Sequence, residues 1–345
     1  MDELTFRMPA DPHVHFRSGP MMRSVAPIVA DWCQVALAMP NVPPLLTARD
    51  SKAHGTKIVE AAGNPDFHLL SSVMLVDRTR PSEVQEWYDA DIVAAKDYPG
   101  GVTTGSAGGV TDQMRLRDVF AEMEQAGIIL PIHAEMPGVD PQIAEQAFLP
   151  TLRKILNLPH RPVVIIEHVS TIETIRLVNE YDRVYGTITP HHMIQTWADI
   201  YDASGKIIYP HNWCKPPAKT RVDRAAIVRA ALDSRGKFFY VTDFAPHLTS
   251  AKMSDSPMAG CANLPAGLVR VVEVFDHYGC LDLIEDFTST FAARVYGLKL
   301  SEHTLTLKRV TEGIPCTVPR HVHIAGGQFL AFWQGGEPIS WYRAA

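Results

Sequence analysis

Short runs rich in β-branched and apolar residues alternate along the chain with longer stretches whose apolar positions recur every three or four residues. The first kind of pattern fits buried strands and the second amphipathic helices. An apolar-polar run at the N-terminus reads as a first strand leading into Asp11-Pro12-His13-Val14-His15-Phe16-Arg17. Residues 21–32 then read as a helix that Pro27 would kink. Residues 34–39 read as a second strand, ending at Pro40-Asn41, and 47–62 as a helix. Residues 67–75 form a third strand pattern. A helix over 81–90 follows, with proline near its start and acids in its first turns. Residues 92–95 make a short apolar strand that stops at Lys96. The strongest amphipathic pattern covers 111–125, with Thr111 placed to cap it and Gly127 beyond its end. Strand patterns at 128–132 and 163–166 end at His133 and at Glu167-His168. The stretch 141–156 between them is helical, and Ser170 or Thr171 opens the helix that follows. The last two strand patterns are 183–189, before Pro190, and 237–242, before Asp243, with a helix over 222–232.

Strand-helix alternation of this kind predicts a parallel sheet with right-handed crossovers. Eight strand patterns predict an α/β fold closed as a (β/α)8 TIM barrel. The interval between the seventh and eighth strands is long enough to hold an excursion as well as a helix. Residues 266–298 read as helical and 320–333 as a small β unit. The expected organisation is one domain over 1–345, with a barrel core about 4–300 and a helical/β appendage about 301–345.

Composition narrows the function classes. The chain is 46% hydrophobic and 20% charged, as ordinary globular proteins are. A net charge of -6 makes no electrostatic case for nucleic acid or an anionic membrane. No apolar run approaches the roughly 18 residues that span a bilayer. The N-terminus lacks a signal-peptide pattern. The five cysteines are widely spaced with no C-x-x-C, which fits reduced thiols in a cytoplasm and argues against a Cys-ligated zinc.

The candidate chemistry sits at the strand ends. His13 and His15 are two residues apart at a strand end and so present two imidazoles to one face. The other strand ends carry Asn41, Lys96, His133, His168 and Asp243. In a barrel all of these meet at the C-terminal mouth, where active sites lie. Four histidines and an aspartate can ligate one or two borderline divalent ions, with zinc the leading candidate. An ammonium such as Lys96 repels a cation, whereas a lysine carbamylated by CO2 is an anionic group able to bridge two ions, a modification that the residues alone do not reveal. A hydroxide bridging two metals is a nucleophile at neutral pH, and Asp243 can take its proton and return it to a leaving nitrogen.

These motifs resemble the dihydroorotases of the bacterial class II type, within the amidohydrolase superfamily. The resemblance rests on the His13/His15 motif, Met39-Pro40-Asn41, Ala95-Lys96-Asp97-Tyr98-Pro99, Ile132-His133-Ala134-Glu135 and Glu167-His168. It continues through Thr189-Pro190, Thr242-Asp243-Phe244-Ala245-Pro246-His247 and Gly260-Cys261-Ala262-Asn263. It implies a cyclic amide hydrolase that interconverts dihydroorotate and N-carbamoyl-aspartate in pyrimidine biosynthesis. It also implies two zinc ions per subunit. His13, His15, Lys96 and Asp243 would hold one ion, and Lys96, His133 and His168 the other, with Lys96 as the carboxylysine bridge. Arg17, Asn41 and His247 would bind the substrate carboxylate, a role suited to a guanidinium fork. Backbone groups near Lys215 and Ala259 would contact the ring. Thr103 and Thr104 would lie on a mobile loop over the substrate, and a homodimer is implied. The chain departs from the family at Pro12 (for an aromatic), Ser18 (for an acid), Phe244 (for a small residue) and Lys215 (for an apolar residue).

Other readings remain beside this one. A hydantoinase or dihydropyrimidinase shares the ligands but needs no carboxylate clamp. A metal-free barrel serving as a partner subunit would not need the ligands. His321 and His323 form a second H-x-H pair, but no other ligand is near them in sequence, and they read as ordinary appendage residues. His191, His192 and His211 read as loop or rim histidines.

Overall fold

In the computed structural model, which describes residues 2–233, 235–311 and 316–344, the N-terminal stretch expected as one strand is two. β1 (Glu3–Arg7) alternates buried and exposed side chains, whereas β2 (Ala10–Val14) is buried at every position. Burial on both faces is what a barrel strand under a helical coat experiences. β2 therefore starts the barrel, and its own sequence contains the His13 motif. β1 belongs to a different sheet, described below.

The barrel continues with α1 (Gly19–Trp32), β3 (Val35–Ala38), α2 (Ala48–Ala62), β4 (His68–Met74), α3 (Glu83–Asp89) and β5 (Ile92–Lys96). Its second half holds α4 (Arg117–Ala126), β6 (Leu130–Ile132), α5 (Ala144–Leu156), β7 (Val164–Ile166), α6 (Ile172–Glu180) and β8 (Val184–Ile188). α7 (Pro190–Ile194), α8 (Arg221–Ala231) and β9 (Phe238–Tyr240) complete it. β2–β5 and β6–β9 are each parallel and in sequence order. Two seams join the halves. At one, the Ala95 and Asp97 amides donate to the carbonyls of Ile129 and Pro131, both at 2.9 Å. At the other, Val14 bridges Phe244, and the buried Asp11 carboxylate accepts from the Thr242 amide and hydroxyl. The eight strands expected from sequence thus close into the barrel expected from their number.

Helix boundaries moved where tertiary contacts outcompeted local pattern. The helix expected over 111–125 starts as a 3-10 turn, Gln113–Leu116, capped by Asp112, before α4 begins. Thr111 does not cap it, because its amide and hydroxyl donate to Asp77 instead, at 2.8 and 2.7 Å. Thr171, rather than Ser170, caps α6, and α1 runs through Pro27. The region 266–298 is not one helix. It divides into α10 (Ala266–His277), a 3-10 turn, a π-helical turn Asp286–Thr290 and α11 (Phe291–Tyr296). The excursion before β9 contains two 3-10 turns, and α9 (Thr249–Lys252) follows β9.

After α11 the chain adds β10 (Thr304–Arg309), then a hairpin of β11 (His321–Ile324) and β12 (Gln328–Ala331), then β13 (Trp341–Arg343). β10 pairs antiparallel with both β1 and β13, so the two chain ends share a three-stranded sheet. Sequence pattern placed the hairpin but neither β10 nor β13. The main core fills the space between strands and helices and extends to Leu4, Phe6, Leu305, Leu307 and Trp341 of this terminal sheet. The hairpin buries Ile324 and Leu330 in the same cluster as Met22 and Val25 of α1. No helix among the described residues is long and apolar enough to cross a membrane.

Candidate metal centre and substrate pocket

His13 is the penultimate residue of β2 and His15 lies just beyond the strand. Lys96 ends β5, His133 and His168 follow β6 and β7 by one and two residues, and Asp243 follows β9. All are therefore gathered at the C-terminal mouth. The His13 and His15 rings are 5.3 Å apart between centroids. Asp243 Oδ1 lies 3.4 Å from His13 Nε2 and 3.3 Å from His15 Nε2. Across the mouth, His133 Nδ1 faces His168 Nε2 at 3.1 Å. The His13 and His168 rings, 5.2 Å apart, join the two groups. Lys96 is wholly buried, its Nζ makes no hydrogen bond, and its nearest carboxylate is Glu167 Oε1 at 3.5 Å. Arg17, His168 and Asp243 all have positive φ, at 62°, 39° and 47°. Left-handed backbone at three non-glycine residues is costly and is held here by the surrounding barrel.

Burial sets the charge states. It lowers the pKa of His13 and drives those of His15 and His168 well below the ordinary histidine value. Neutral imidazoles offer the lone pairs that metals need. Burial also lowers Lys96, and a neutral amine is the form that reacts with CO2. Asp243 is pushed up to about 6 by burial, against the pull of His13. Glu167 behaves oppositely: burial would raise it, but His13 and Lys96 together draw it down to about 2. The donor set fits divalent cations, with three convergent ligand atoms from His13, His15 and Asp243. Opposed imidazole nitrogens and an orphaned buried amine complete the fit.

Two acids escaped assignment from sequence. Glu135 Oε2 binds His133 Nε2 at 2.8 Å, which leaves Nδ1 to face the site. Glu167 Oε2 lies 2.9 Å from His13 Nδ1 and leaves Nε2 inward. Such carboxylates fix the tautomer and orientation of a ligating imidazole. Glu135 had a local signal, two residues after His133. Glu167 had none, since its partner lies on a distant strand.

A narrow pocket opens above this floor, lined among others by Arg17, Asn41, Tyr98, Thr103, Thr104, Lys215, Ala259 and Gly260. The sequence did not single out Tyr98. Arg17 donates from Nε to the Pro246 carbonyl at 2.9 Å, while its buried Nη1 has no partner. Asn41 holds His15 Nδ1 through its side-chain oxygen and donates to the Thr104 carbonyl, both at 2.8 Å. His247 stands behind Arg17, with Nε2 3.1 Å from Arg17 Nη2 and 3.0 Å from the Ala259 carbonyl. Burial and the Arg17 charge hold its pKa down to about 2, so it stays neutral. The Lys215 Nζ donates to the Val102 carbonyl at 2.6 Å and ties down the loop of Thr103 and Thr104.

The remaining histidines divide. His321 and His323 are exposed on β11, as expected. His191 and His192 are not rim residues: both are buried in α7. They lie beside Cys214 in a second group of ligand-type atoms. Both His192 nitrogens are already engaged, with Thr189 Oγ1 at 2.6 Å and the Pro216 carbonyl at 3.0 Å. His211 is half-buried at a 3-10 turn.

A closed parallel barrel whose strand ends supply buried neutral imidazoles, a lysine and an aspartate to one mouth defines an amidohydrolase-type barrel. No protein-family model matches the sequence. The chain is 36% identical over 352 residues to a dihydroorotase of Neisseria gonorrhoeae, covering 99% of each. Its structure matches that of Saccharomyces cerevisiae dihydroorotase in complex with 5-fluoroorotic acid. The TM-score is 0.90 at 28% identity, over 100% of this chain and 99% of the other. An L-hydantoinase from Arthrobacter aurescens has a TM-score of 0.76 at 16% identity, over 98% of this chain and 82% of the other, and so shares the fold. The chain belongs to the dihydroorotase family.

Proposed function

We propose that this chain is a dihydroorotase that interconverts dihydroorotate and N-carbamoyl-aspartate in pyrimidine biosynthesis. The observation that carries the substrate assignment is the buried Arg17 guanidinium, with a free Nη1, at the wall of a pocket floored by the ligand set. A ring bearing a carboxylate gives that cation its partner, and a guanidinium pairs with a carboxylate through two hydrogen bonds. The uncharged rings of hydantoinase substrates would leave it unpaired, at the cost of burying an uncompensated charge.

His13, His15 and Asp243 would hold one divalent ion, zinc by donor type, and His133 and His168 a second, with Lys96 carbamylated between them. Ions bound there supply a water-derived nucleophile at neutral pH and polarise the ring carbonyl. The residues around them do the rest. Glu135 and Glu167 hold His133 and His13 in the tautomers that face inward. Asp243 would accept the proton of that nucleophile and return it to the ring nitrogen as the carbon–nitrogen bond opens. Arg17 and Asn41 orient the ring, with His247 behind them, and the Thr103–Thr104 loop excludes water. Asn41 links this loop to His15, so closure and ligand orientation are coupled. We place the enzyme in the cytoplasm, where its five free thiols are at home, and expect a homodimer.

The test is turnover of dihydroorotate by zinc-loaded protein, with a hydantoin and dihydrouracil alongside. Selective hydrolysis of dihydroorotate is expected, and activity only on the uncharged rings would overturn the substrate. In the same assay Asp243→Ala is expected to lose about 10²–10⁴-fold in kcat while keeping its fold. Full activity in that variant would remove Asp243 from its role.

A further inference from the structure

Lys252 ends α9 and is a buried ammonium outside the ligand set. Its Nζ donates to three main-chain carbonyls: Trp213 at 2.9 Å, Met258 at 2.9 Å and Gly260 at 2.7 Å. An ammonium has three protons, so all its donor capacity goes to backbone. The three carbonyls belong to two segments that are far apart in sequence. Both segments reach the pocket, one through Lys215 and the other through Ala259 and Gly260. The Trp213 carbonyl also accepts from the Gly260 amide at 3.0 Å, so the segments are cross-linked twice at one point.

The 258–260 segment is packed without slack. A Cβ on Gly260, whose φ is +145°, would fall 2.4 Å from the Ala245 carbonyl oxygen. Between Met258 and Gly260, both held by Lys252, lies Ala259, and its carbonyl oxygen is 3.0 Å from His247 Nε2. His247 Nε2 also lies 3.1 Å from Arg17 Nη2, so the ring is packed between the two groups: it donates to the Ala259 carbonyl when Nε2 carries the proton and accepts from Arg17 when it does not. A continuous path of contacts therefore runs from Lys252 through Ala259 and His247 to the guanidinium.

We propose that Lys252 is a positioning residue for the substrate carboxylate: it fixes the Ala259 carbonyl, and through His247 the guanidinium of Arg17. The inference rests on the dihydroorotase reading of the pocket. Lys252 touches neither the ligand set nor the ring, so its loss acts on binding. Methionine fills the stem's volume but leaves the three carbonyls without their common donor. The segment then relaxes and Arg17 loses its support. Displacements near 1 Å cost about 10- to 100-fold in alignment-dependent interactions.

The experiment is steady-state kinetics on the full-length, zinc-loaded chain. Lys252→Met and Lys252→Gln would be compared with the unmodified protein, with metal content and thermal midpoint measured on each. Orotate, a planar carboxylate-bearing analogue, serves as the binding probe. Lys252→Met is expected to raise the KM for dihydroorotate and the Ki of orotate together by about tenfold or more, with kcat within about threefold and zinc content unchanged. Lys252→Gln retains two of the three donors and is expected to fall between. If Lys252→Met does not fold, Lys252→Gln decides: a raised KM at unchanged kcat supports the inference, and wild-type values overturn it. A joint fall of kcat and zinc content overturns it too, because it marks a general structural role. Absence of dihydroorotate turnover by the unmodified protein would instead sink the proposed function.

Discussion

His192 shows how a single buried side chain links this fold to pH. Burial holds its pKa down to about 4, from an ordinary 6.5. Its neutral ring bridges Thr189 and the Pro216 carbonyl. Between those two pH values the unfolded chain binds a proton that the folded chain does not. Stability is therefore undiminished above pH 6.5 and falls as pH drops towards 4, by an amount on the order of 3 kcal/mol from this group. His192→Gln keeps a donor for Pro216 and removes the titration. Its urea midpoint is expected to decline less than the wild type's between pH 7 and pH 4.5, and parallel declines would show that His192 does not titrate on unfolding. The candidate ligands were more legible than this residue. His13, His15, His133, His168, Lys96 and Asp243 could be read because each sits at the end of an apolar run, where an unpaired polar group would be costly. His192 lies four residues beyond β8, and only the structure shows that α7 turns it inward.

Among the elements, the loop after β5 has the most to do with the pocket. It is held from both sides, by Asn41 on the Thr104 carbonyl and by Lys215 on the Val102 carbonyl. Gly105 makes this approach possible. Its φ is +73°, and a Cβ there would lie 2.2 Å from the Asn41 carbonyl oxygen. Gly105→Ala is expected to lift the loop, break the Asn41–Thr104 bond and lower kcat/KM for dihydroorotate by about 10- to 100-fold. The thermal midpoint should barely move, since the loop tip is exposed. An unchanged kcat/KM would show that the loop tolerates the displacement. The glycines of this loop could be read from the sequence as mobility. Their second use, letting one backbone touch another, depends on where residue 41 lies in space.

At the scale of the whole molecule, the two ends of the chain close on each other. β1 and β13 flank β10, next to the start of β2 and so at the opposite end of that strand from the ligands. Trp341 is fully buried there. The Arg309 guanidinium lies 4.5 Å from its ring centroid, and its indole nitrogen donates to Asp276 at 3.2 Å. Trp341→Ala is expected to cost about 3–5 kcal/mol of stability and to leave kcat unchanged at temperatures where the variant is folded. Chemical denaturation with parallel assays would check both, and a specific loss of kcat would mean that the terminal sheet reaches the mouth.

The sequence by itself determined the barrel, because eight short apolar runs separated by helices have few other ways to bury themselves. It also singled out the candidate ligand set, because strand ends are local features and a barrel gathers them at one mouth. Tertiary structure alone decided which strands the chain ends form. Leu4 and Phe6 look like the first barrel strand until Leu305 and Leu307 are seen to cover them. It alone paired Glu167 with His13, Thr111 with Asp77 and Lys252 with its three carbonyls. His13–Glu167, Asp77–Thr111 and Trp213–Lys252 join groups far apart along the chain, and polar contacts between distant groups leave no periodicity for a sequence to show.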